Sequence, residues 1–163
     1  MQDINIELIN VDYCNDQQGK DLVMLLNAYA LDPMGGGEAL PEYVQQNLVA
    51  TLAERNDFLT VLAYVDGKAA GIINCVEGFS TFKCKPLLNI HDCAVLKEYR
   101  GLGLSQKLFA EIEKIANERG YCKLTLEVLQ GNTVAQNAYK KIGFSGYELD
   151  VKTGQAMFWE KVL

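Results

Sequence analysis

Glu98-Tyr99-Arg100-Gly101-Leu102-Gly103-Leu104-Ser105 is the stretch on which the reading of this chain turns. Before it runs an apolar, strand-like segment, Leu87 to Val95. After it come Leu104, Leu108, Ile112 and Ile115, spaced as one face of a helix that stops near Arg119-Gly120. A strand that feeds a helix through a glycine-rich turn makes an anion cradle. The glycines let backbone approach a ligand, and the free N–H groups and dipole of the helix start face its charge. A diphosphate suits such a site. Gly101-x-Gly103 is also a fragment of a dinucleotide-binding fingerprint. That fingerprint calls for a third glycine, an early parallel strand and an acid at the end of the next strand, whereas the strands preceding this turn read as an antiparallel meander.

Working outward, Ile4 to Val11 alternates partly as a first strand. Leu22, Leu25, Leu26 and Tyr29 carry helical spacing, as do Tyr43, Val44, Leu48 and Leu52 after Pro41, with Pro41 suited to a first turn. Asp32-Pro33-Met34-Gly35-Gly36-Gly37 between them reads as a mobile loop. Phe58 to Tyr64 and Lys68 to Val76 flank Asp66-Gly67, a favoured hairpin turn. Tyr121 to Leu129 reads as a strand and Asn132 to Ile142 as a helix, and Gly143-Phe144 and Ala156 to Val162 lead to two closing strands. The expected order is β-α-α-β-β-β-α-β-α-β-β. It gives a single α/β domain over residues 1–163, with no internal repeat.

Composition narrows the function. The 163 residues can bury a core without disulfides or metals, and no apolar run approaches the roughly 20 residues of a membrane span. Five cysteines without a Cys-x-x-Cys pair and one histidine, His91, suggest neither a disulfide framework nor a zinc site, so no metal is expected. The start lacks the basic and apolar regions of a signal peptide, which together with reduced thiols makes the cytoplasm the expected compartment. A net charge of −6 disfavours nucleic acid and suits a cationic substrate.

The run from Val95 to Ser105 resembles the acyl-CoA pyrophosphate loop of GCN5-related N-acetyltransferases, the GNAT superfamily. Arg100, Gly103 and Ser105 fill its Arg/Gln-x-x-Gly-x-Gly/Ala signature, with Ser105 in place of the usual Gly or Ala. The resemblance continues through Leu126 to Phe144. Asn132 and Tyr139 there are seven residues apart, so they share one helix face. The family implies a GNAT fold: a mixed, mostly antiparallel sheet, helices on both faces and a central parallel strand pair splayed by a bulge. It implies acetyl-CoA as cofactor, with Arg100, Gly101, Leu102, Gly103, Leu104 and Ser105 on the diphosphate. Backbone at Ala94 and Val95 would meet the pantetheine arm and acyl carbonyl, Asn132 would contact the arm, and Tyr139 would protonate the departing thiolate. A phenol with a pKa near 10 can serve a thiolate with a pKa near 8.5.

An alkylamine nucleophile with a pKa near 10.4 is about 0.1% neutral at pH 7.4, so a base or water relay is needed. His91 and Asp92 are the candidates, being titratable residues among apolar neighbours. Alternation sends them to opposite faces unless the strand bulges, as members of this family do at this point. Glu127 is a weaker third candidate. Cys93 suggests a covalent acyl-enzyme, against the family's habit of direct transfer. Phe79 to Phe82 and Pro86 to Val95 resemble the diamine, spermidine/spermine-type, branch, with His91 where a Glu usually stands. A small-molecule amine acceptor follows. Tyr29, Tyr43 and Phe82 are candidates for an aromatic wall, and Trp159 for the closing strand's core or a dimer contact. The family's closing strands often mediate dimers, which implies a homodimer. Two other readings stay open: a protein or peptide N-acetyltransferase, and a non-catalytic acyl-CoA sensor.

Overall fold

A computed structural model of the protein describes residues 4–148 and 150–163. The chain divides into two units, Met1–Leu126 and Glu127–Leu163. In the first, β1 (Ile6–Asn10), α1 (Asp16–Leu31), α2 (Glu42–Ala53), β2 (Phe58–Val65), β3 (Lys68–Ser80), β4 (Lys85–Val95), α3 (Leu104–Glu118) and β5 (Leu124–Leu126) follow in order. The second carries α4 (Thr133–Lys141). Among the described residues no helix is long and apolar enough to cross a membrane.

The sheet runs β1-β2-β3-β4-β5, antiparallel except for the parallel pair β4/β5. Asp66 and Gly67, both at positive φ, close the β2–β3 hairpin as the sequence predicts. Leu62 and Ile72 pair across β2/β3 and bury against Leu22, Leu25 and Leu52 of α1 and α2. The alternate face meets α3: a Cβ placed on Gly71 would lie 3.4 Å from Leu108 Cδ1. Helices therefore cover both faces, and α3 buries Leu104, Leu108, Ile112 and Ile115, the stripe read from the sequence.

Three expectations need correction. The parallel pair is not central: β5 is the edge of the described sheet, and it covers only Leu124–Leu126 of the strand expected over 121–129. The two closing strands do not form. Among the described residues beyond α4 the only strand-type pairing is a bridge between Glu148 and Gln155, and Met157, Phe158 and Trp159 are exposed. A strand-prone segment becomes a strand only when a neighbouring ladder takes up its N–H and C=O groups. The Asp32–Gly37 loop, finally, is not a free tether. It holds a 3₁₀ turn at Pro33–Gly35, and Gly37 N–H donates to Ala30 at 2.9 Å and to Asp32 at 3.1 Å. Gly35 lies so close under α1 that a Cβ there would sit 2.0 Å from the Tyr29 carbonyl oxygen.

Candidate functional site

Strand β4 changes character at His91. Its parallel ladder with β5 ends at Ile90↔Leu126. On the other edge β3 pairs Cys75 with Ile90 but Asn74 with Asp92, so His91 is the extra residue of a bulge. The bulge expected between the two candidate bases is present, and it treats them differently. His91 is exposed, whereas Asp92 is half-buried and faces Asn74.

Asp92 ends a row of polar side chains lying directly across three strands. Tyr13 Oη donates to Thr60 Oγ1 at 3.0 Å, Thr60 Oγ1 donates to Asn74 Oδ1 at 2.7 Å, and Asn74 Nδ2 donates to Asp92 Oδ2 at 3.0 Å. Thr60 and Asn74 are 1% and 2% exposed, the only buried polar residues among those described, and each sits two positions from the apolar pair Leu62–Ile72 on the face that α1 covers. Sequence reasoning missed this row. Its signal was a single polar residue interrupting each of two apolar strands, Leu59-Thr60-Val61 and Ile73-Asn74-Cys75.

Electrostatics around Asp92 follow from burial. The Tyr29 phenol on α1 is raised above its ordinary value of 10.0, first by burial and then by the negative field of Asp92. Burial pushes the Cys93 thiol up to about 12, and Asp92 adds to the shift. A thiol so raised is a poor nucleophile, which disfavours a covalent acyl-enzyme.

Beyond Val95 a 3₁₀ turn, Lys97–Tyr99, leads to Arg100 and the glycine turn. Gly101 and Gly103 have φ of 86° and 74°, the left-handed region that favours glycine. Gly103 is the N-cap of α3 and offers no side-chain cap; the helical ladder begins with Lys107 N–H donating to its carbonyl at 3.1 Å. The N–H groups of Leu104, Ser105 and Gln106 precede that ladder, the arrangement an anion needs. Arg100 turns back: its Nε donates to the Val95 carbonyl and its Nη2 to Asp32 Oδ2, each at 3.2 Å. The Arg100 cation thereby ties the 3₁₀ loop to the end of β4. Ala94 packs with Leu96 on the core beneath α1.

In the second unit, Asn132 caps α4, its Oδ1 accepting from Ala135 N–H at 3.1 Å, which leaves its amide nitrogen as the donor side. Tyr139 lies on the same, less exposed face as Asn132 and Ala135, its ring 6.2 Å from that of Phe144. Glu127 follows β5 rather than lying in it. The aromatic wall is not formed: Tyr43 and Phe82 are 75% and 99% exposed. A cavity of about 570 Å³ opens between α1 and α2, lined in part by Tyr13, Lys20, Asn27 and Gln45. None of the predicted site residues lines it, and only Tyr13 connects it to the polar row.

Residues 22–144 match the sequence profile of the acetyltransferase (GNAT) family. The chain is 33% identical over 95 residues to an uncharacterized N-acetyltransferase of Archaeoglobus fulgidus, covering 58% of this chain and 65% of that protein. It is also 33% identical over 113 residues to an N-alpha-acetyltransferase of Sulfurisphaera tokodaii, covering 65% and 68%. Across such curated relatives it spans from 44% to 68% of their length. The fold resembles that of an aminoglycoside acetyltransferase from an uncultured soil metagenomic sample, solved with sisomicin, at a TM-score of 0.77, 16% identity and 96% coverage of both chains. An aminoglycoside N-acetyltransferase solved with CoA is similar at a TM-score of 0.75, 16% identity and 98% and 97% coverage.

Proposed function

The chain belongs to the acetyltransferase (GNAT) family, and from that premise we propose that it is a one-domain N-acetyltransferase, residues 1–163, which moves an acetyl group from acetyl-CoA directly to a primary amine of a small cationic molecule. The observation that carries this reading is the continuous unit in which β4 bulges at His91, passes Val95, turns through Gly101 and Gly103 and opens α3 with uncapped amides. Acetyl-CoA supplies the activated acyl group. The amides of Leu104 and Ser105, with the turn Arg100–Gly103, bind its diphosphate. Backbone of Ala94 and Val95 and the Asn132 amide nitrogen hold the arm. Asp92 takes the proton of the attacking amine, with exposed His91 as the alternative acceptor, and Tyr139 returns a proton to the sulfur when the C–S bond breaks.

A cationic acceptor is supported by the net charge of −6 and by Asp92, and the fold's likeness to aminoglycoside acetyltransferases supports a small polyamine-like amine. The five free cysteines support a reducing, cytoplasmic setting, and exposed Phe158 and Trp159 support a homodimer through the closing segment. A second reading, a peptide acceptor, is favoured by the similarity to the archaeal N-alpha-acetyltransferase.

Release of free thiol from acetyl-CoA, measured with polyamines, aminoglycosides, amino acids and N-terminal peptides, tests the proposal. Turnover on polyamines or aminoglycosides is expected. Turnover confined to peptides establishes the second reading, and CoA binding with no turnover on any amine makes the protein an acyl-CoA sensor.

A further inference from the structure

Polar atoms in the middle of a sheet face are costly to maintain. Each buried donor or acceptor left without a partner keeps its full desolvation penalty, and an apolar pair of similar shape fills the space at no such risk. Thr60 and Asn74 are nonetheless 1% and 2% exposed, beside the apolar pair Leu62–Ile72. Their hydrogen bonds run in one direction, towards Asp92.

The carboxylate sets that direction. Ionised Asp92 can only accept, so Asn74 must turn its NH₂ to it and its carbonyl to Thr60. Thr60 must then donate to Asn74, and its remaining capacity accepts from Tyr13. Every member of the row has one orientation as long as Asp92 is charged. The row is not a proton wire, because the Asn74 amide has no proton to pass on at neutral pH. What it fixes is position: three directly paired residues, Thr60↔Asn74 and Asn74↔Asp92, lock to neighbouring strands rather than to a loop.

Resting on the reading of Asp92 as the base, we propose that Asn74 and Thr60, backed by Tyr13, are positioning residues that hold the Asp92 carboxylate by Oδ2 and so reserve Oδ1 for the proton of the acceptor amine. The bulge at His91 belongs to the same device. By inserting one residue it brings Asp92, rather than His91, opposite Asn74.

The test uses the full chain, acetyl-CoA and the best amine of the panel. Asn74→Leu is expected to lower kcat about tenfold or more while the KM for acetyl-CoA stays within about twofold, and Thr60→Val to lower kcat less. Thr60→Ser, which keeps the hydroxyl, restores kcat, which a defect of packing alone does not predict. In an Asp92→Asn background, Asn74→Leu costs nothing further. Losses that multiply in the double variant, or a kcat unchanged in both Asn74→Leu and Thr60→Val, overturn the inference while leaving Asp92 as base. Full activity of Asp92→Asn by itself removes the base reading, and the inference falls with it. Should Asn74→Leu fail to fold, the Thr60→Val and Thr60→Ser pair decides. A crystal structure of Thr60→Val with Asp92 in its original rotamer and kcat undiminished also overturns the proposal.

Discussion

The two halves of β4 are built for different tasks. From Leu88 to Ile90 the strand has a neighbour on each edge, β3 on one and β5 on the other, and Leu88 and Ile90 are buried. From Asp92 to Val95 it keeps, among the described residues, only its β3 neighbour, carries Asp92 and Cys93, and ends in a carbonyl held by Arg100. The bulge at His91 separates them. A strand paired on both edges is rigid and has no backbone to spare for a ligand; one paired on a single edge presents N–H and C=O groups to whatever comes alongside. On the proposed function, one continuous segment thus serves as both scaffold and site.

The division is broken most severely by exchanging the effects of its halves. Asp92→Asn is expected to lower kcat by about 10² to 10⁴, the range of general-base catalysis, with the thermal midpoint nearly unchanged. Leu88→Ala, at a position 1% exposed, is expected to cost about 2 to 5 kcal/mol of stability while kcat per folded molecule is retained. Chemical denaturation and steady-state kinetics on the same preparations measure both. A large stability loss in Asp92→Asn, or a catalytic loss in folded Leu88→Ala, removes the division of labour.

How much of this was legible beforehand depends on bulges. The Asp66-Gly67 hairpin, the α3 stripe and the glycine turn each rest on local pattern, and all are in the structure. The polar row rests on register. Counting back from the Asp66-Gly67 turn sets Thr60 opposite Ile73, on the wrong face from Asn74. An extra residue, Ala70, shifts the β2/β3 pairing between Tyr64↔Ala69 and Ala63↔Gly71 and brings Thr60 to Asn74. No composition rule marks Ala70 as a bulge, so the row was invisible although both its polar members stood out. Asn132 was legible in a different sense. An Asn before a helix is a cap by its chemistry, and here its oxygen is used as one. The closing segment failed because an apolar, aromatic run such as Ala156 to Trp159 suits a strand but does not supply the neighbouring ladder that would pair it.

A smaller effect sharpens the comparison at Cys93, in the site half of β4. With its thiol raised to about 12 by burial and by Asp92, Cys93 holds almost no thiolate at pH 8. Cys93→Ala is therefore expected to keep kcat within about threefold, and in the native protein thiol reagents are expected to modify exposed Cys14 and Cys84 before Cys93. Loss of activity to the level of Asp92→Asn would move the chemistry onto the thiol.

The smallest effect concerns the ion pair where the site half ends. The Asp32 carboxyl is held below its ordinary value of 3.8, first by the Met34 backbone N–H and then by Arg100. Its folded value is the lower one, so the stability it contributes is complete above the unfolded value and lost as pH falls through the folded one. Denaturation midpoints of the wild type and Asp32→Asn should therefore differ slightly at neutral pH and converge in acid. Both partners are partly exposed, 58% for the Arg100 side chain and 32% for Asp32, and such pairs are worth about 0 to 1 kcal/mol. If the diphosphate of CoA draws on the same guanidinium, it must first compete with Asp32. Asp32→Asn should then tighten CoA binding by up to about fivefold at low salt, with the gain shrinking as added salt screens the pair in the wild type. Titration calorimetry at two ionic strengths reads this directly. An affinity that does not move shows that Arg100 serves the loop alone and that the amides of Leu104 and Ser105 carry the diphosphate without it.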